Sequence, residues 1–116
     1  MPISRLAECV EDTRRDIEES GIISPIVGHV GDGNFHTLPI ALPDDAAAWA
    51  RIKAFAERLS ERAIAMGGTC TGEHGIGQGK IDYLRQEMGL AVDVMMAVKQ
   101  ALDPHDILNP GKLFSK

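Results

Sequence analysis

Two histidines flank a short turn in the stretch GHVGDGNFH, which runs from Gly28 to His36. The Asp32-Gly33 pair inside it predicts a two-residue hairpin turn, because a type I′ turn needs positive φ at both central residues. That turn, or a four-residue loop over residues 31–34, would place His29 directly opposite His36, on one face of the sheet, with Cβ atoms about 4.5–5.5 Å apart. Two imidazoles at that separation can bind one metal ion, whereas a one-residue bulge would put them on opposite faces. The residues alone leave open that one histidine is simply a polar group at a sheet rim.

A third ligand and a base can come from a second stretch, GGTCTGEHGIGQGK, which spans residues 67–80 and holds six of the chain's twelve glycines. Adjacent side chains of an extended segment point in opposite directions. Glu73 can therefore bind a metal while His74 faces a substrate as a base, since two histidines and one carboxylate form a common catalytic metal site. The alternative is that Glu73-His74 is an exposed loop pair. His105, beside Pro104 in a turn, is expected to be solvated.

The elements that must position these residues follow the order α-β-β-α, a glycine-rich segment and two further helices. Hydrophobic periodicity, β-branched runs and Gly/Pro breaks predict helices and strands. Their predicted bounds are 4–20 (helix), 22–30 and 35–42 (strands), and 44–66, 81–88 and 90–102 (helices). The apolar stripe of the second helix consists of Trp49, Ile52, Ala56, Leu59, Ala63 and Met66. Because a two-stranded sheet is marginal alone, we predict an α+β fold, an incomplete ferredoxin-like layer with helices on one face of a small antiparallel sheet.

Composition limits the class of protein. The 116 residues fit one small domain, and the net charge of −5 argues against a nucleic-acid partner. Cys9 and Cys70 are too few for a disulfide framework, so we expect reduced thiols. The start of the chain lacks the features of a signal peptide. These features predict a cytoplasmic location, with the periphery of a membrane as a further option.

Three stretches taken together resemble a known family: GHVGDGNFH, GTCTGEHGIGQGK and DPHDILNPGKLF, in that order. They are similar to the C-terminal part of FAD-linked 2-hydroxy-acid dehydrogenases and oxidases. This is the D-lactate dehydrogenase and glycolate oxidase flavin subunit family, within the vanillyl-alcohol-oxidase type of flavoproteins. The resemblance covers nearly the whole chain, from PISRL to the C-terminus.

The resemblance implies a role for five residues. His29, His36 and Glu73 match metal ligands, with zinc as the usual ion. His74 matches the histidine that accepts the substrate hydroxyl proton, and Asn109 matches a position near the flavin. The chain would then oxidise a D-2-hydroxy acid to the 2-oxo acid with FAD as hydride acceptor. Electrons would leave for a quinone, a cytochrome or an electron-transfer flavoprotein.

Two departures from the family pattern shape the expected function. Family members carry an FAD-binding domain ahead of this region, so we expect residues 1–116 to be the C-terminal segment of the substrate (cap) domain and to be inactive alone. Leu38 stands where hydroxyglutarate-oxidising members carry a polar Asn, which favours a D-lactate-like substrate. The alternative is a non-catalytic α+β module that self-associates through its open sheet edge into a homo-oligomer.

Overall fold

The structure is a computed structural model that describes residues 1–114. Within them it contains four α-helices and one two-stranded antiparallel sheet. In chain order the elements are α1 (Ile3–Ser20), β1 (Ile26–His29), β2 (Asn34–Thr37), α2 (Ala46–Ala65), α3 (Ile81–Met88) and α4 (Ala91–Leu102). The α+β class is confirmed, and the ferredoxin-like layering stays a prediction. The chain divides into two compact units, Met1–Gly72 and Glu73–Lys116.

The first unit contains α1 packed against α2. Helix α1 ends where predicted, at Gly21, whose φ of 60° lies in the left-handed region that glycine adopts easily. Asp45 caps the start of helix α2, since its side chain accepts a hydrogen bond of 2.8 Å from the Ala48 backbone N–H. Its largest fully buried side chain is Phe55. The predicted stripe of α2 missed this residue, and Trp49, which the stripe included, is exposed.

A charged cluster joins the two helices beside this core. The carboxylate of Asp16 on α1 accepts hydrogen bonds from Arg58 at 2.5 Å and from Arg62 at 2.8 Å, both on α2. Ser20 also donates to it, at 3.0 Å. Although burial raises the pKa of the Asp16 carboxyl, the hydrogen bonds from the two arginines and Ser20 outweigh it and lower the pKa to about 2. Asp16 therefore links α1 to α2 through charged hydrogen bonds.

The hydrogen bonds of the Asp16 carboxylate should make the free energy of unfolding depend on pH in the acid range. The pKa of Asp16 is about 2 in the folded chain and about 3.9 in an unfolded one. Its stabilisation is therefore fully present above about pH 4 and is lost as the pH falls towards 2. We expect Asp16→Asn to remove about 1–2 kcal/mol of that acid-dependent stability, whereas Asp12→Asn, at an exposed ion pair, should change it by less than about 0.5 kcal/mol. Urea unfolding at pH 7, 4 and 2.5 measures both, and equal pH profiles for the two variants would contradict the assignment.

The strands are shorter than predicted because two prolines interrupt the ladder. Pro25 and Pro39 have no backbone N–H to donate. The β1–β2 pairing therefore covers only four residues on each strand, and an isolated bridge pairs Ile23 with Ile40 beyond it. The hydrogen bonds from Leu38 N to Pro25 O and from Ile40 N to Ile23 O, 3.0 and 2.9 Å long, continue the extended path.

The second unit contains α3 and α4, which pack on each other with Leu84 and Val92 buried. Both helices lie within one residue of their predicted bounds. Helix α4 stops at Asp103, since the following Pro104 cannot continue a helix. Residues 67–80 form neither helix nor strand, as the glycine content predicts. Among residues 1–114, the helices all fall short of the length and apolarity that a membrane-spanning helix requires.

Candidate metal and substrate site

The β1–β2 hairpin positions the two histidines with a different register from the predicted one. His29 pairs with Asn34, and His36 pairs with Val27. The loop is a 3₁₀ turn, Val30–Asp32, closed by Gly33, rather than a two-residue type I′ turn or a loop over residues 31–34. The prediction that His29 directly opposes His36 is therefore wrong by two positions along the strand.

The shift of two positions keeps both histidines on one face, because side chains alternate faces with a period of two. The imidazoles are diagonal neighbours. Their ring centroids lie 6.2 Å apart, with the ring planes at 89°, and one ring nitrogen of each lies within 4.8 Å of the other's. The prediction that His29 and His36 are neighbours on one face is confirmed.

Gly33 fixes the end of the loop that separates the histidines. Its φ is 67°, in the left-handed region, and its carbonyl accepts a hydrogen bond of 2.8 Å from the Met1 amino group. A Cβ added to Gly33 would lie 2.2 Å from the Met1 carbonyl oxygen, which is far inside van der Waals contact. Only glycine satisfies both the backbone conformation and the close approach.

Gly33→Ala should therefore destabilise the chain by about 2–3 kcal/mol, through backbone strain and steric overlap. The matched control is Gly31→Ala in the same loop, where an added Cβ meets nothing within 4 Å and the expected change is below about 0.5 kcal/mol. Thermal unfolding of the three chains measures the difference. Equal melting temperatures for the two variants would show that this loop is not constrained at Gly33.

The backbone that leads to Glu73 passes beside the hairpin at Gly72. A Cβ added to Gly72 would lie 2.7 Å from Oδ1 of Asn34, and Asn34 is the residue opposite His29. Glu73 follows Gly72 by one peptide bond, about 3.8 Å between Cα atoms. Glu73 is therefore covalently joined to a residue whose backbone lies beside the hairpin that carries the histidines.

In the second unit, Glu73 and His74 are exposed neighbours. Nε2 of His74 lies 3.6 Å from Oε1 of Glu73, and the His74 side chain is 73% exposed. The segment continues through Gly75 and Gly77, which have φ of 77° and 57°. His105, in a turn of the same unit, is also exposed, as expected.

Asn109 lies in a loop that Asp103 organises. The buried Asp103 carboxylate accepts hydrogen bonds from the backbone N–H groups of Ile107 and Leu108, at 3.0 and 2.9 Å, and from the Lys99 amino group. The Lys99 hydrogen bond is the main reason that the pKa of Asp103 is lowered. Asn109 itself is exposed and has a φ of 48°, uncommon for a residue with a side chain.

Sequence reasoning did not single out Asn34 or Asp103. Asn34 could have been found only with the correct register, which brings it opposite His29. The sequence signal for Asp103 was its place before proline at the end of α4, which indicates a helix stop but not that its carboxylate binds two backbone N–H groups.

The histidine pair fits a divalent transition metal by the chemistry of its donors. Imidazole nitrogen suits zinc, iron, nickel and copper, and adding one carboxylate gives a donor set with open positions. Tetrahedral zinc with bonds of about 2.0–2.1 Å holds two ligating nitrogens roughly 3.4 Å apart. Small side-chain rotations bring nitrogens that lie within 4.8 Å of each other to that separation. The two histidines of the hairpin could therefore supply two of the donors that such an ion needs.

The chain belongs to the family of FAD linked oxidases, C-terminal domain, whose pattern matches residues 1–113. The expected family is thereby confirmed, and with it the association with an FAD-linked oxidoreductase.

Named relatives fall in the same family. The chain is 52% identical over 114 residues to "Probable D-lactate dehydrogenase, mitochondrial" of Danio rerio, covering 97% of this chain and 23% of that protein. It is 41% identical over 116 residues to "D-lactate dehydrogenase [cytochrome] 1, mitochondrial" of Saccharomyces cerevisiae, covering 98% and 19%. It is 41% identical over 121 residues to "Glycolate oxidase subunit GlcD" of Bacillus subtilis, covering 100% and 25%. The chain thus spans a quarter or less of the length of these relatives.

Proposed function

We propose that this chain is the metal- and substrate-binding C-terminal portion of a flavin-dependent dehydrogenase that oxidises a D-2-hydroxy acid to the 2-oxo acid. The observation that carries the proposal is the pair of imidazoles held on one face of the hairpin, with ring nitrogens within 4.8 Å. Family membership over residues 1–113 and the names of the relatives support the reaction class.

His29, His36 and Glu73 would hold the divalent ion, with zinc as our choice. The hairpin fixes the two imidazoles on rigid backbone, which lowers the entropy that binding must overcome. A metal here supplies polarisation of the substrate's hydroxyl and carboxylate oxygens when it is bound.

His74 would accept the hydroxyl proton. An imidazole is suited to this role because its ordinary pKa lies near neutral pH. The oxidation removes two hydrogens from the substrate: the hydroxyl proton goes to His74, and the Cα hydrogen leaves with its electron pair. When FAD is bound, it supplies the chemistry of hydride acceptance, and Asn109 would lie near it.

The substrate we propose is D-lactate or a close analogue. Leu38, two residues after His36, is half exposed and offers an apolar surface rather than a hydrogen bond for a second polar group. The word "cytochrome" in the printed name of the yeast relative supports a cytochrome as electron acceptor over a quinone or an electron-transfer flavoprotein. The predicted cytoplasmic location stays a prediction, as the names of the fish and yeast relatives specify mitochondria.

A segment exchange tests this function. The chain replaces the matching segment of the yeast D-lactate dehydrogenase relative, to which it is 41% identical, and flavin bleaching is followed on addition of D-lactate, L-lactate, D-2-hydroxyglutarate and glycolate. We expect reduction with D-lactate well above that with the other three acids. The isolated chain, which we propose is only part of the catalytic unit, should give no turnover. A folded, flavin-loaded chimera that D-lactate leaves oxidised would contradict the proposal.

A second candidate, self-association, has its own observation. From the residue before α4 to its last residue, apolar side chains recur at intervals of four and are all exposed: Leu90, Val94, Val98 and Leu102. Such an apolar row is typical of a surface that is covered by another protein surface. Light scattering of the purified chain over a hundredfold concentration range tests whether a second copy covers it, and a constant monomeric mass would remove the homo-oligomer.

A further inference from the structure

We propose that Asn34 is a positioning residue of the candidate metal site, because its side chain sets the path of the backbone at Gly72 and hence the point from which Glu73 extends. This inference rests on the proposed metal-binding function and deepens it. It gives a role to a residue that is not itself one of the three proposed ligands.

Asn34 lies on the same face of the sheet as both histidines. It pairs directly with His29, and directly opposed residues share a face. It also precedes His36 by two residues on β2, so these two side chains point the same way. Asn34 is half buried, and its position in the register puts it next to both histidines on the face where a metal would bind.

The Asn34 amide contacts the backbone at Gly72 closely. A Cβ built on Gly72 would lie 2.7 Å from Oδ1, 2.9 Å from Nδ2 and 3.0 Å from Cγ of Asn34. All three of its nearest neighbours thus belong to one side chain. Gly72 has an ordinary φ, so the backbone conformation would tolerate alanine. An added methyl group at Gly72 would therefore have to displace the Asn34 amide, which is the end of a side chain rather than backbone.

The segment is also held from its other end. Cys70, two residues before Gly72, is buried, so its side chain anchors the chain within the first unit. With Cys70 fixed and Gly72 against Asn34, little freedom remains in the position from which the next residue starts. Glu73 is that residue, and a displacement of its backbone by one methyl radius is comparable to the length of a metal–oxygen bond, about 2.0–2.2 Å.

Positioning makes a different prediction from a general contribution to stability. If Asn34 only stabilised the fold, its loss would lower the unfolding midpoint of the metal-free chain and leave the affinity for zinc largely intact. If it positions the start of Glu73, zinc affinity falls while the metal-free chain unfolds at nearly the same urea concentration. Outer-shell groups of metal sites commonly contribute about 10–100-fold in affinity.

The experiment is a double-mutant cycle on the purified chain, with Asn34→Ala, Gly72→Ala and the combination of the two. The control is Gly79→Ala in the same glycine-rich segment, where an added Cβ meets nothing within 4 Å. Zinc affinity is measured by competition with a chromogenic chelator, and urea unfolding of the metal-free chains is measured in parallel. We expect each single variant to weaken zinc binding by about 10–100-fold with little change in unfolding midpoint, and Gly79→Ala to bind like wild type.

Non-additivity is the decisive result. Removing the Asn34 amide makes room for a methyl group at Gly72, so Gly72→Ala should cost less than about 3-fold in the Asn34→Ala background. Three results would overturn the inference and leave the metal site standing. In the first, the losses of zinc affinity in the two single variants multiply in full in the double variant. In the others, the single variants bind zinc like wild type, or Gly79→Ala loses as much zinc affinity as they do. A wild-type chain that takes up no zinc would instead show that the proposed site is wrong, and this inference with it.

Discussion

Replacing His74 by alanine in the yeast chimera should lower kcat for D-lactate by about 10²–10⁴-fold, the usual contribution of a general base. The physical reason is that the hydroxyl proton must leave as the Cα hydride departs, and water is a poorer acceptor than a positioned imidazole. KM should change much less, because His74 is proposed to accept a proton rather than to bind substrate. Steady-state turnover over a range of D-lactate concentrations gives kcat and KM separately, and stopped-flow measurement of flavin reduction shows whether the reduction step itself is slowed.

The control for this prediction is His105→Ala. His105 is exposed in a turn of the same unit, so its removal subtracts one imidazole without touching the proposed chemistry, and kcat should stay within about twofold of the unmodified chimera. Unchanged flavin reduction in His74→Ala would refute the assignment of the base.

Phe55→Ala should cost about 3–5 kcal/mol in the free energy of unfolding. Phe55 is 0% exposed and is the largest fully buried side chain of the described residues, so truncation leaves a cavity between α2 and the elements that cover it. The whole free energy of unfolding of a small domain is about 5–15 kcal/mol, so this single change brings the chain close to the unfolding threshold. Urea unfolding followed by fluorescence of Trp49, the chain's single tryptophan, measures the loss.

Lys53→Ala is the matched control for Phe55→Ala, since Lys53 is exposed on the same helix and its truncation should change the free energy by less than about 0.5 kcal/mol. A Phe55→Ala chain that unfolds at the wild-type urea concentration would show that the burial of this side chain does not stabilise the fold.

The sequence predicted where helices begin and end more reliably than which side chains they bury. Gly21 and Pro104 are local signals, and α1 and α4 end beside them. The buried face of α2 is set instead by its packing partner α1, which no local pattern encodes. The predicted stripe therefore included the exposed Trp49 and omitted the buried Phe55.

The register of the hairpin shows the same limit at the candidate site. An Asp-Gly pair is compatible with both a two-residue turn and a four-residue loop that ends in left-handed glycine. The structure has the four-residue loop, with Gly33 left-handed. The pairing register of this loop differs by two residues from the predicted one, and a shift of two keeps each side chain on the same face of the sheet. The face shared by His29 and His36 was therefore predicted correctly even though their partners were not.

Contacts between residues distant in sequence were outside any local inference. Asp16 and Arg58 are 42 residues apart, and both occur in charged stretches that are typical of solvated helix faces. The approach of Gly72 to Asn34 likewise depends on how the glycine-rich segment passes the hairpin. A single glycine in a glycine-rich stretch gives no indication of which neighbour requires it.

Zinc titration of the purified chain tests most directly whether the hairpin forms a metal site. A competing chelator sets the free metal concentration, and the variants are His29→Ala, His36→Ala and Glu73→Ala, with His105→Ala as the control. We predict that one zinc binds per wild-type chain and that the control binds zinc with wild-type affinity. Each of the three ligand variants should lose at least about 100-fold in zinc affinity, which is more than changes to outer-shell residues cause. Equal affinities in all five chains, or no uptake by the wild type, would contradict the account.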